Sequence, residues 1–441
     1  MIFVEHLKQT KMKKTQVVSA QQALSAIHSA DHIFIHSVAA APHHLIEALV
    51  ARSAELHDVH IYHLHTEGSA PYVQPQYEGI FELHSFFVGG NVRQATWEGR
   101  ADYIPVFLSE IPDMIRQKVV PINVALITVS PPDKNGYVSL GTSVDATLAA
   151  VQTAKVVIAQ ANKYMPRTFG DSTLHIRDID FLVEYDEPLP VVSIEPITEV
   201  ENLIGQNVAE LVPDGATLQM GIGSIPNAVL QNLSNHKHLG IHTEMFSDGL
   251  LPLLESGVVD NSKKKLLRGR TVATFLMGSE KLYNFVDDNP SIQMKTVDYV
   301  NNMRNIAKNP KVVGINSAIE IDLTGQVCAD SIGMQIYSGV GGQIDFMRGA
   351  AMSEGGKPII ALSSRTPKGI PKIVPVLKVG AGVVSTRANV HYVISEYGIA
   401  YLYGKSLKQR AKALIDLAHP DDREMLEKAA FARWHGHFVE V

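Results

Sequence analysis

Two glycines and one glutamate have the residue types and the spacing to do chemistry. Gly221 and Gly223 lie in the segment Gln219–Pro226, which indicates the end of a strand, a turn and the start of a helix. Glycine has no Cβ, so a ligand can approach the backbone N–H groups of this turn, and a helix N-terminus attracts an oxyanion or a phosphate. A second strand, beginning at Ile241, delivers the carboxylate of Glu244 beside the turn. The pattern predicts a site where backbone amides meet a carboxylate.

The turn differs from the fingerprint of dinucleotide-binding folds. Pro226 stands where the third glycine of G-x-G-x-x-G should be, although a proline is well tolerated in the first turn of a helix. Ala228, Val229 and Leu233 give this helix an apolar stripe. From the motif alone, a turn whose glycines serve only the packing of the strand and the helix is an equally good interpretation.

The elements that position these residues follow an alternating pattern. Short strands rich in Val, Ile and Leu alternate with amphipathic helices such as residues 20–27, 44–54 and 227–233. This alternation predicts an α/β fold with parallel or mixed sheets and helices on both faces. Ligands of such folds bind at the carboxyl ends of strands. The glycine turn and Glu244 are both predicted to lie there.

The chain contains an internal duplication. The segment His36–Leu49 aligns with Met220–Leu233 in its strand end, turn, proline and helix stripe. The tripeptide ending at Glu67 then aligns with the His-Thr-Glu tripeptide that ends at Glu244. A third pair of apolar strands follows in the same order. Three ordered matches predict two related α/β domains.

The duplication also divides the chain. We predict an N-terminal domain of residues 1–188 and a C-terminal catalytic domain of residues 189–441, joined at the proline-bearing stretch Glu187–Pro190. The first copy of the turn is Ala39–Ala41 and has no glycine, so its acid, Glu67, is interpreted as a relic of the duplication or as structural. The second half is predicted to be the active one.

Longer motifs add a resemblance that covers nearly the whole chain. Beyond the glycine turn and the Glu244 segment, they are Asn316–Asp322, Ser338–Phe346, Ser395–Gly404 and Ala418–Arg423. In this order they resemble the acetyl-CoA hydrolase/transferase family, the class I CoA-transferases that include 4-hydroxybutyrate and butyryl/acetate CoA-transferases. The resemblance implies the CoA-transferase fold and an acyl-CoA:carboxylate CoA-transferase for short-chain acids.

The resemblance implies a role for Glu244. It would attack the acyl-CoA thioester to give an acyl-glutamyl anhydride, and the released CoA thiolate would convert this into a glutamyl-CoA thioester and a free acid. A second acid would reverse the steps. Holding the acyl-transfer equivalent on an enzyme carboxylate avoids loss to water.

The resemblance also implies the groups around the glutamate. Oxyanion and CoA-arm contacts would come from Gly221, Ile222, Gly223, Ser224 and Ile225 and from the pair Gly341 and Gly342. Further CoA contacts would come from Ile319 and Lys368, although Pro367 replaces the small residue expected before that lysine. Coenzyme A enters as substrate, no added cofactor is expected, and the family implies a homo-oligomer.

Composition excludes several classes of protein. The 441 residues carry a formal net charge of -6, which argues against a general nucleic-acid binder. No apolar run approaches the roughly 20 residues that a membrane span needs. The single cysteine, Cys328, cannot form an internal disulfide, so we expect a reducing compartment, the cytoplasm.

Two groups of polar residues are interpreted as having no catalytic or metal-binding role. His57, His60, His63 and His65 lie close together, but no cysteine or acidic set accompanies them at metal spacing, so we expect no metal. The lysine run Ser262–Lys265 is interpreted as a solvated face, with assistance to the nucleotide end of CoA as the alternative.

Two rival functions remain open. A hydrolase of the same fold would let water resolve the intermediate in place of a carboxylate. A non-catalytic CoA-binding protein would keep the glycine turns and lose the nucleophile, and the presence of Glu244 in its motif speaks against it.

Overall fold

The alternating strands and helices form two main sheets, one in each half of the chain. The computed structural model describes residues 14–192, 196–221 and 223–435. The first-half strands are β1 (Gln16–Val17), β2 (His32–Ile35), β3 (Val59–His63), β4 (Phe81–Ser85), β5 (Ala101–Tyr103), β6 (Val124–Val129), β7 (Tyr137–Ser139), β8 (Val156–Ala161), β9 (Phe169–Gly170), β10 (Thr173–His175) and β11 (Phe181–Glu184). The first-half helices are α1 (Ala20–Leu24), α2 (His43–Val50), α3 (Arg93–Trp97), α4 (Ile111–Arg116) and α5 (Thr147–Thr153).

The second half continues with shorter strands and longer helices. Its strands are β12 (Thr217–Met220), β13 (Gly240–Ile241), β14 (Met245–Phe246), β15 (Thr271–Ala273), β16 (Phe275–Leu276), β17 (Ile292–Met294), β18 (Val312–Asn316), β19 (Glu320–Asp322), β20 (Val327–Cys328), β21 (Ser331–Ile332), β22 (Gln335–Ile336), β23 (Lys357–Ala361), β24 (Ile373–Val374), β25 (Tyr392–Ser395) and β26 (Gly398–Tyr401). Its helices are α6 (Glu199–Ala209), α7 (Ser224–Gln231), α8 (Leu251–Glu255), α9 (Glu280–Val286), α10 (Val297–Val300), α11 (Met303–Lys308), α12 (Gln343–Met352), α13 (Leu407–Asp416) and α14 (Pro420–Trp434). Single 3₁₀ turns lie at Pro71–Val73, Pro75–Tyr77, Leu108–Glu110, Ile176–Asp178 and Asp248–Leu250.

The two main sheets repeat one strand order, as the duplication predicts. The first sheet runs β1-β11-β8-β6-β2-β3-β4-β5 with parallel pairing throughout. The second runs β13-β12-β18-β23-β25-β26 and is parallel except for the last pair. The series β3-β2-β6-β8-β11 therefore corresponds to β13-β12-β18-β23-β25. The predicted α/β class is confirmed.

The halves are joined by backbone pairing and by a shared core. Strand β9, from the first half, completes the small sheet β15-β17-β9. The N–H of Val144 donates to Thr274 O at 2.9 Å, and the N–H of Leu276 donates to Thr142 O at 2.8 Å. One hydrophobic cluster contains buried side chains of both halves. The boundary at residues 188 and 189 stays a prediction.

The lysine run is only partly solvated, which corrects the interpretation from sequence. Lys263 and Lys265 are exposed, but Lys264 is buried. Its Nζ donates to Ile241 O and to Arg270 O, each at 2.6 Å, and burial lowers its pKa to about 7. Lys264 thus secures the strand that leads to Glu244.

Candidate active site

The glycine turn connects β12 to α7 at the carboxyl end of the second sheet. Gly221 follows β12 directly, and Gly223 is the residue before α7, with φ at +118°. A Cβ at Gly223 would meet no atom within 4 Å, so backbone conformation rather than space requires glycine there. Ile222 lies outside the described residues.

Glu244 lies between β13 and β14, and its neighbour Thr243 ties it to the glycine turn. The Thr243 hydroxyl donates to Met220 O at 3.1 Å and accepts from Met220 N–H at 3.1 Å. The Glu244 carbonyl accepts N–H bonds from Thr274 at 3.0 Å and Phe275 at 3.2 Å. The His-Thr-Glu motif is therefore a local device that fixes the nucleophile candidate beside the end of β12.

The histidine of this motif is structural. His242 is buried, and its Nε2 lies 2.8 Å from Val300 O. Burial lowers its pKa to about 3, so the ring is neutral at neutral pH and Nε2–H donates to that carbonyl. This bond holds the segment against the end of α10.

The Glu244 carboxylate belongs to a buried polar network. Asn301 Nδ2 donates to Glu244 Oε2 at 2.7 Å and lies 3.4 Å from Asp345 Oδ2. The hydroxyl of Ser109 donates to Asp345 Oδ1 at 3.0 Å. Asn301 follows α10, and Asp345 lies in the first turn of α12. One amide therefore contacts both carboxylates.

Both carboxyl groups hold their protons more tightly than usual. Burial, with a smaller contribution from the negative charge of Asp345, raises the pKa of Glu244 to about 7 against the opposing hydrogen bond from Asn301. Burial likewise raises the pKa of Asp345 to about 7, against bonds from Ser109 and Asn301. Both groups therefore change protonation near neutral pH, and the charge of Asp345 acts on Glu244.

The glycine pair packs directly on the carboxylate. Gly341 has φ at +59°, a conformation that favours glycine. A Cβ on Gly342 would overlap Glu244 Oε2 and Asn301 Nδ2. The bare backbone at residue 342 is therefore a steric condition for the observed position of Glu244.

A cavity of about 230 Å³ brings most of the predicted residues together. Its lining includes Gly221, Ile225, Glu244, Gly341 and Gly342. The other two described members of the turn, Gly223 and Ser224, line a neighbouring cavity of about 510 Å³. Met245 lines both cavities. The two sides of the glycine turn thus face different spaces.

Two of the predicted CoA contacts, Ile319 and Lys368, are not among the residues that line this cavity. Ile319 is half-buried at the start of β19, and its N–H donates to Cys328 O at 2.9 Å. Lys368 is exposed in the tight turn between Arg365 and Pro371. Their contacts with CoA stay predictions.

Sequence reasoning missed residues that come from distant elements. Asn301 had no motif to mark it, and Asp345 lay within the glycine-pair motif without being assigned. The first half also contributes, since Phe87 lines the cavity and Ser109 binds Asp345. The site is therefore built from both halves, although the glutamate and the glycines come from the second.

Comparison with known proteins gives consistent matches over both halves. A profile for the acetyl-CoA hydrolase/transferase N-terminal domain matches residues 3–193, and one for the C-terminal domain of that family matches residues 278–430. Glu244 lies between the two matched segments.

Curated relatives match along most of the chain. Succinyl-CoA:acetate/propanoyl-CoA:succinate CoA transferase of Fasciola hepatica is 55% identical over 407 residues, covering 91% of this chain and 85% of that protein. 4-hydroxybutyrate coenzyme A transferase of Clostridium kluyveri is 48% identical over 414 residues, covering 94% and 96%. The crystal structure of RipA from Yersinia pestis has a TM-score of 0.90 at 35% identity, covering 96% and 98%. Well-covered relatives are named CoA-transferases, and hydrolase names occur among more distant matches.

Proposed function

The chain belongs to the acetyl-CoA hydrolase/transferase family, and we propose that it is an acyl-CoA:carboxylate CoA-transferase for short-chain acids with Glu244 as nucleophile. The observation that carries this proposal is the position of the Glu244 carboxylate, which lines a cavity between two bare-backbone segments at Gly221 and at Gly341–Gly342. The names of its well-covered relatives support the same reaction class.

The first half-reaction moves the acyl group from sulfur to a Glu244 oxygen and then releases it as the free acid. A carboxylate oxygen of Glu244 attacks the thioester carbonyl carbon, the C–S bond breaks, and CoA leaves as a thiolate. The thiolate then attacks the Glu244 carbonyl of the anhydride. The bond from that carbonyl carbon to the bridging oxygen breaks, the first carboxylate departs, and the Glu244 side chain remains as a CoA thioester.

The second half-reaction uses the acceptor acid. Its carboxylate attacks the glutamyl carbonyl, the C–S bond of the glutamyl-CoA thioester breaks, and an anhydride forms between Glu244 and the new acyl group. The released thiolate then attacks the new acyl carbon, and the bond from that carbon to the bridging oxygen breaks. Free Glu244 and a new acyl-CoA result. The kinetics are ping-pong, and no proton or electron is left over, so the chemistry needs no added cofactor.

The network around Glu244 supports this role. The nucleophile is the ionised carboxylate, and a pKa of about 7 makes the ionised form more basic than an ordinary glutamate while leaving a large fraction ionised at neutral pH. Asn301 holds Oε2, so Oε1 is the oxygen left to attack. Asp345 raises the pKa of Glu244 from behind the carboxylate and is not among the residues that line the cavity.

Negative charge develops on the carbonyl oxygen during each attack. We assign its stabilisation to backbone N–H groups of the two bare segments, because a preorganised donor of this kind typically contributes about 10² to 10³ in rate. The contacts of Ile222, Ile319 and Lys368 with the CoA arm are part of the same proposal. Lys368, an exposed cation, would pair with a phosphate of CoA.

The rival hydrolase differs only in what resolves the glutamyl-CoA thioester. Rates measured with added acetate, compared with water alone, separate the two, and we expect acetate to accelerate loss of acyl-CoA. We further propose a homo-oligomer acting in the cytoplasm. Among the described residues, no helix combines the length and apolar character that a membrane crossing requires.

Trapping the intermediate tests the nucleophile. The protein is incubated with acetyl-CoA or butyryl-CoA, reduced with borohydride and digested, and the peptide containing residue 244 is examined by mass spectrometry. We expect conversion of the Glu244 side chain to its alcohol in the wild type. In Glu244→Ala we expect neither this mass change nor turnover. Glu67→Ala is the matched control, because Glu67 is the duplicate of Glu244 in the first half. Full turnover in Glu244→Ala would overturn the mechanism.

A further inference from the structure

A cluster of two imidazoles and a carboxylate lies on the first sheet, outside the machinery proposed above. His60 lies near the amino end of β3, and Glu82 and His84 lie on the adjacent parallel strand β4, with Glu82 opposite His60 in register. We propose that His60, Glu82 and His84 form a binding site for a divalent transition-metal ion of the zinc type.

The separations within the cluster suit a single small ion. Nδ1 of His60 lies 3.0 Å from Nε2 of His84, and these nitrogens lie 3.6 Å from Oε2 and Oε1 of Glu82, respectively. A tetrahedral Zn²⁺ with ligands at about 2.0–2.1 Å places neighbouring ligand atoms about 3.3 Å apart. The observed separations bracket that value. The rings of His60 and His84 lie edge to edge, with centroids 5.3 Å apart and planes 26° apart, so both rings must rotate to turn their nitrogens toward one ion.

The surroundings orient the ligands. Nε2 of His60 lies 3.5 Å from Asp58 Oδ1, so a carboxylate faces the ring nitrogen that points away from the cluster. A carboxylate behind a ligating histidine is the usual means of fixing its tautomer and orientation. His32 stacks on His60 with ring centroids 4.5 Å apart, which restrains the ring from its other side.

The charge around the cluster also favours a cation. A surface cavity of about 190 Å³ adjoins the cluster, and its lining includes four acids and one arginine. The acids are Asp58, Glu78, Glu82 and Asp102. Its arginine, Arg100, is paired with Glu98. The cavity gives a cation a negatively charged route of entry.

The ligand set selects the class of ion. Two imidazole nitrogens and one carboxylate suit Zn²⁺, Co²⁺ or Ni²⁺, whereas Mg²⁺ and Ca²⁺ prefer all-oxygen sites. Three protein ligands leave a fourth position for water. The ion would bridge β3 and β4 and stabilise the first sheet, whereas Glu244 lies in the second half of the chain.

The cluster could also be held together without a metal ion, and the experiment must distinguish the two cases. At 3.0 Å the two imidazoles can also share one hydrogen bond, which would hold the rings together with no ion. The site did not emerge from the sequence because its ligands come from two strands whose pairing only the fold reveals. The chain has 19 histidines, so binding must be assigned by variants rather than by stoichiometry alone.

The experiment titrates chelator-stripped, tag-free protein with Zn²⁺ against a fluorescent chelator and records the visible absorption of the Co²⁺ form. We expect one ion per chain, an affinity at least about 100-fold weaker in His84→Gln, and loss of the Co²⁺ bands. Glu82→Gln, at a half-exposed position, should weaken binding without threatening the fold. His57→Ala is the matched control, since His57 is exposed and lies three residues before His60.

Thermal unfolding adds an independent readout. We expect Zn²⁺, but not Mg²⁺, to raise the melting temperature of the wild type and of His57→Ala, and to leave that of His84→Gln unchanged. Equal Zn²⁺ affinity in wild type and His84→Gln, or equal weakening in His57→Ala, would show adventitious binding and overturn the proposal. Absence of micromolar binding in the wild type would do the same and would favour the shared hydrogen bond. None of these outcomes depends on CoA transfer.

Discussion

At the level of single residues, Gly342 is the strictest requirement of the candidate site. A Cβ there would overlap Glu244 Oε2 and Asn301 Nδ2, so Gly342→Ala must displace the carboxylate or the backbone. A displacement of about 1 Å typically costs about 10² in rate, and we expect at least that loss in kcat for CoA transfer. Gly90→Ala is the control, because a Cβ at Gly90 meets no atom within 4 Å and its φ is not positive. Near-normal turnover in Gly342→Ala would contradict the observed packing.

The pH dependence of the reaction reports on Glu244 and Asp345. Glu244 attacks in its ionised form, so kcat/KM should rise with pH and level off above its pKa of about 7. Asp345→Asn removes a negative charge that raises this pKa. We therefore expect the acid limb to move to lower pH by only part of the whole shift, because burial contributes more to the raised pKa than this charge does.

A control separates this effect from general electrostatics. Asp416→Asn removes an exposed acid that pairs with Lys412 on α13, and its pH profile should match that of the wild type. An unchanged profile in Asp345→Asn would mean that the two carboxylates do not titrate as a coupled pair.

The residues of the candidate site differ in how far the sequence could predict them. Glu244 and the glycines were found because each is marked by its immediate neighbours in the chain. Asn301 and Ser109 were missed because their roles depend on which helix ends meet over the carboxylate. Contacts of that kind are set by packing and carry no local signature.

At the level of elements, Thr243 links the segment between β13 and β14, which contains Glu244, to the end of β12, which leads into the glycine turn. Its hydroxyl satisfies both the N–H and the C=O of Met220, and Thr243 is fully buried. Thr243→Val keeps the shape and removes both bonds, leaving buried backbone groups unpaired at a cost of about 1–3 kcal/mol each.

We therefore expect Thr243→Val to lower both the free energy of unfolding and the turnover, measured by urea denaturation and by CoA-transfer assays. Thr243→Ser keeps the hydroxyl and should restore most of both. Loss of turnover in the serine variant equal to that in the valine variant would show that the methyl group, not the hydrogen bonds, positions the segment.

Element prediction succeeded where the two halves could be read against each other. The aligned turns correctly predict β2 followed by α2 and β12 followed by α7. The boundaries were less accurate, since α1 ends at Leu24 where the pattern extends to Ile27. Apolar periodicity marks the buried side of a segment and continues through turns that remain buried.

At the level of the whole molecule, three of the buried histidines and two buried carboxylic acids make opposing contributions to stability. Burial lowers the pKa of His63 and His242 to about 3 and that of His65 to about 4. The unfolded chain binds these three protons below about pH 6.5, so stability falls as the pH falls. Glu244 and Asp345, with pKa values of about 7, act in the opposite direction because the folded state holds protons that the unfolded chain has lost.

Near pH 5.5 the unfolded chain binds about one proton more on these five groups than the folded state does. Their combined contribution therefore lowers the free energy of unfolding by about 1 kcal/mol for each unit that the pH falls. Replacing both acids, as Glu244→Gln with Asp345→Asn, removes their opposing contribution, and we expect the slope to steepen by roughly 2–3 kcal/mol per pH unit. Urea unfolding between pH 6.5 and 5 measures both slopes, with groups common to the two proteins contributing equally. Adding His63→Gln to the double variant should lower its slope by roughly 1 kcal/mol per pH unit, because a glutamine side chain takes up no proton on unfolding. Equal slopes in wild type and double variant would mean that the two acids are ionised in the folded protein, and the coupled carboxylates proposed at the active site would then be wrong.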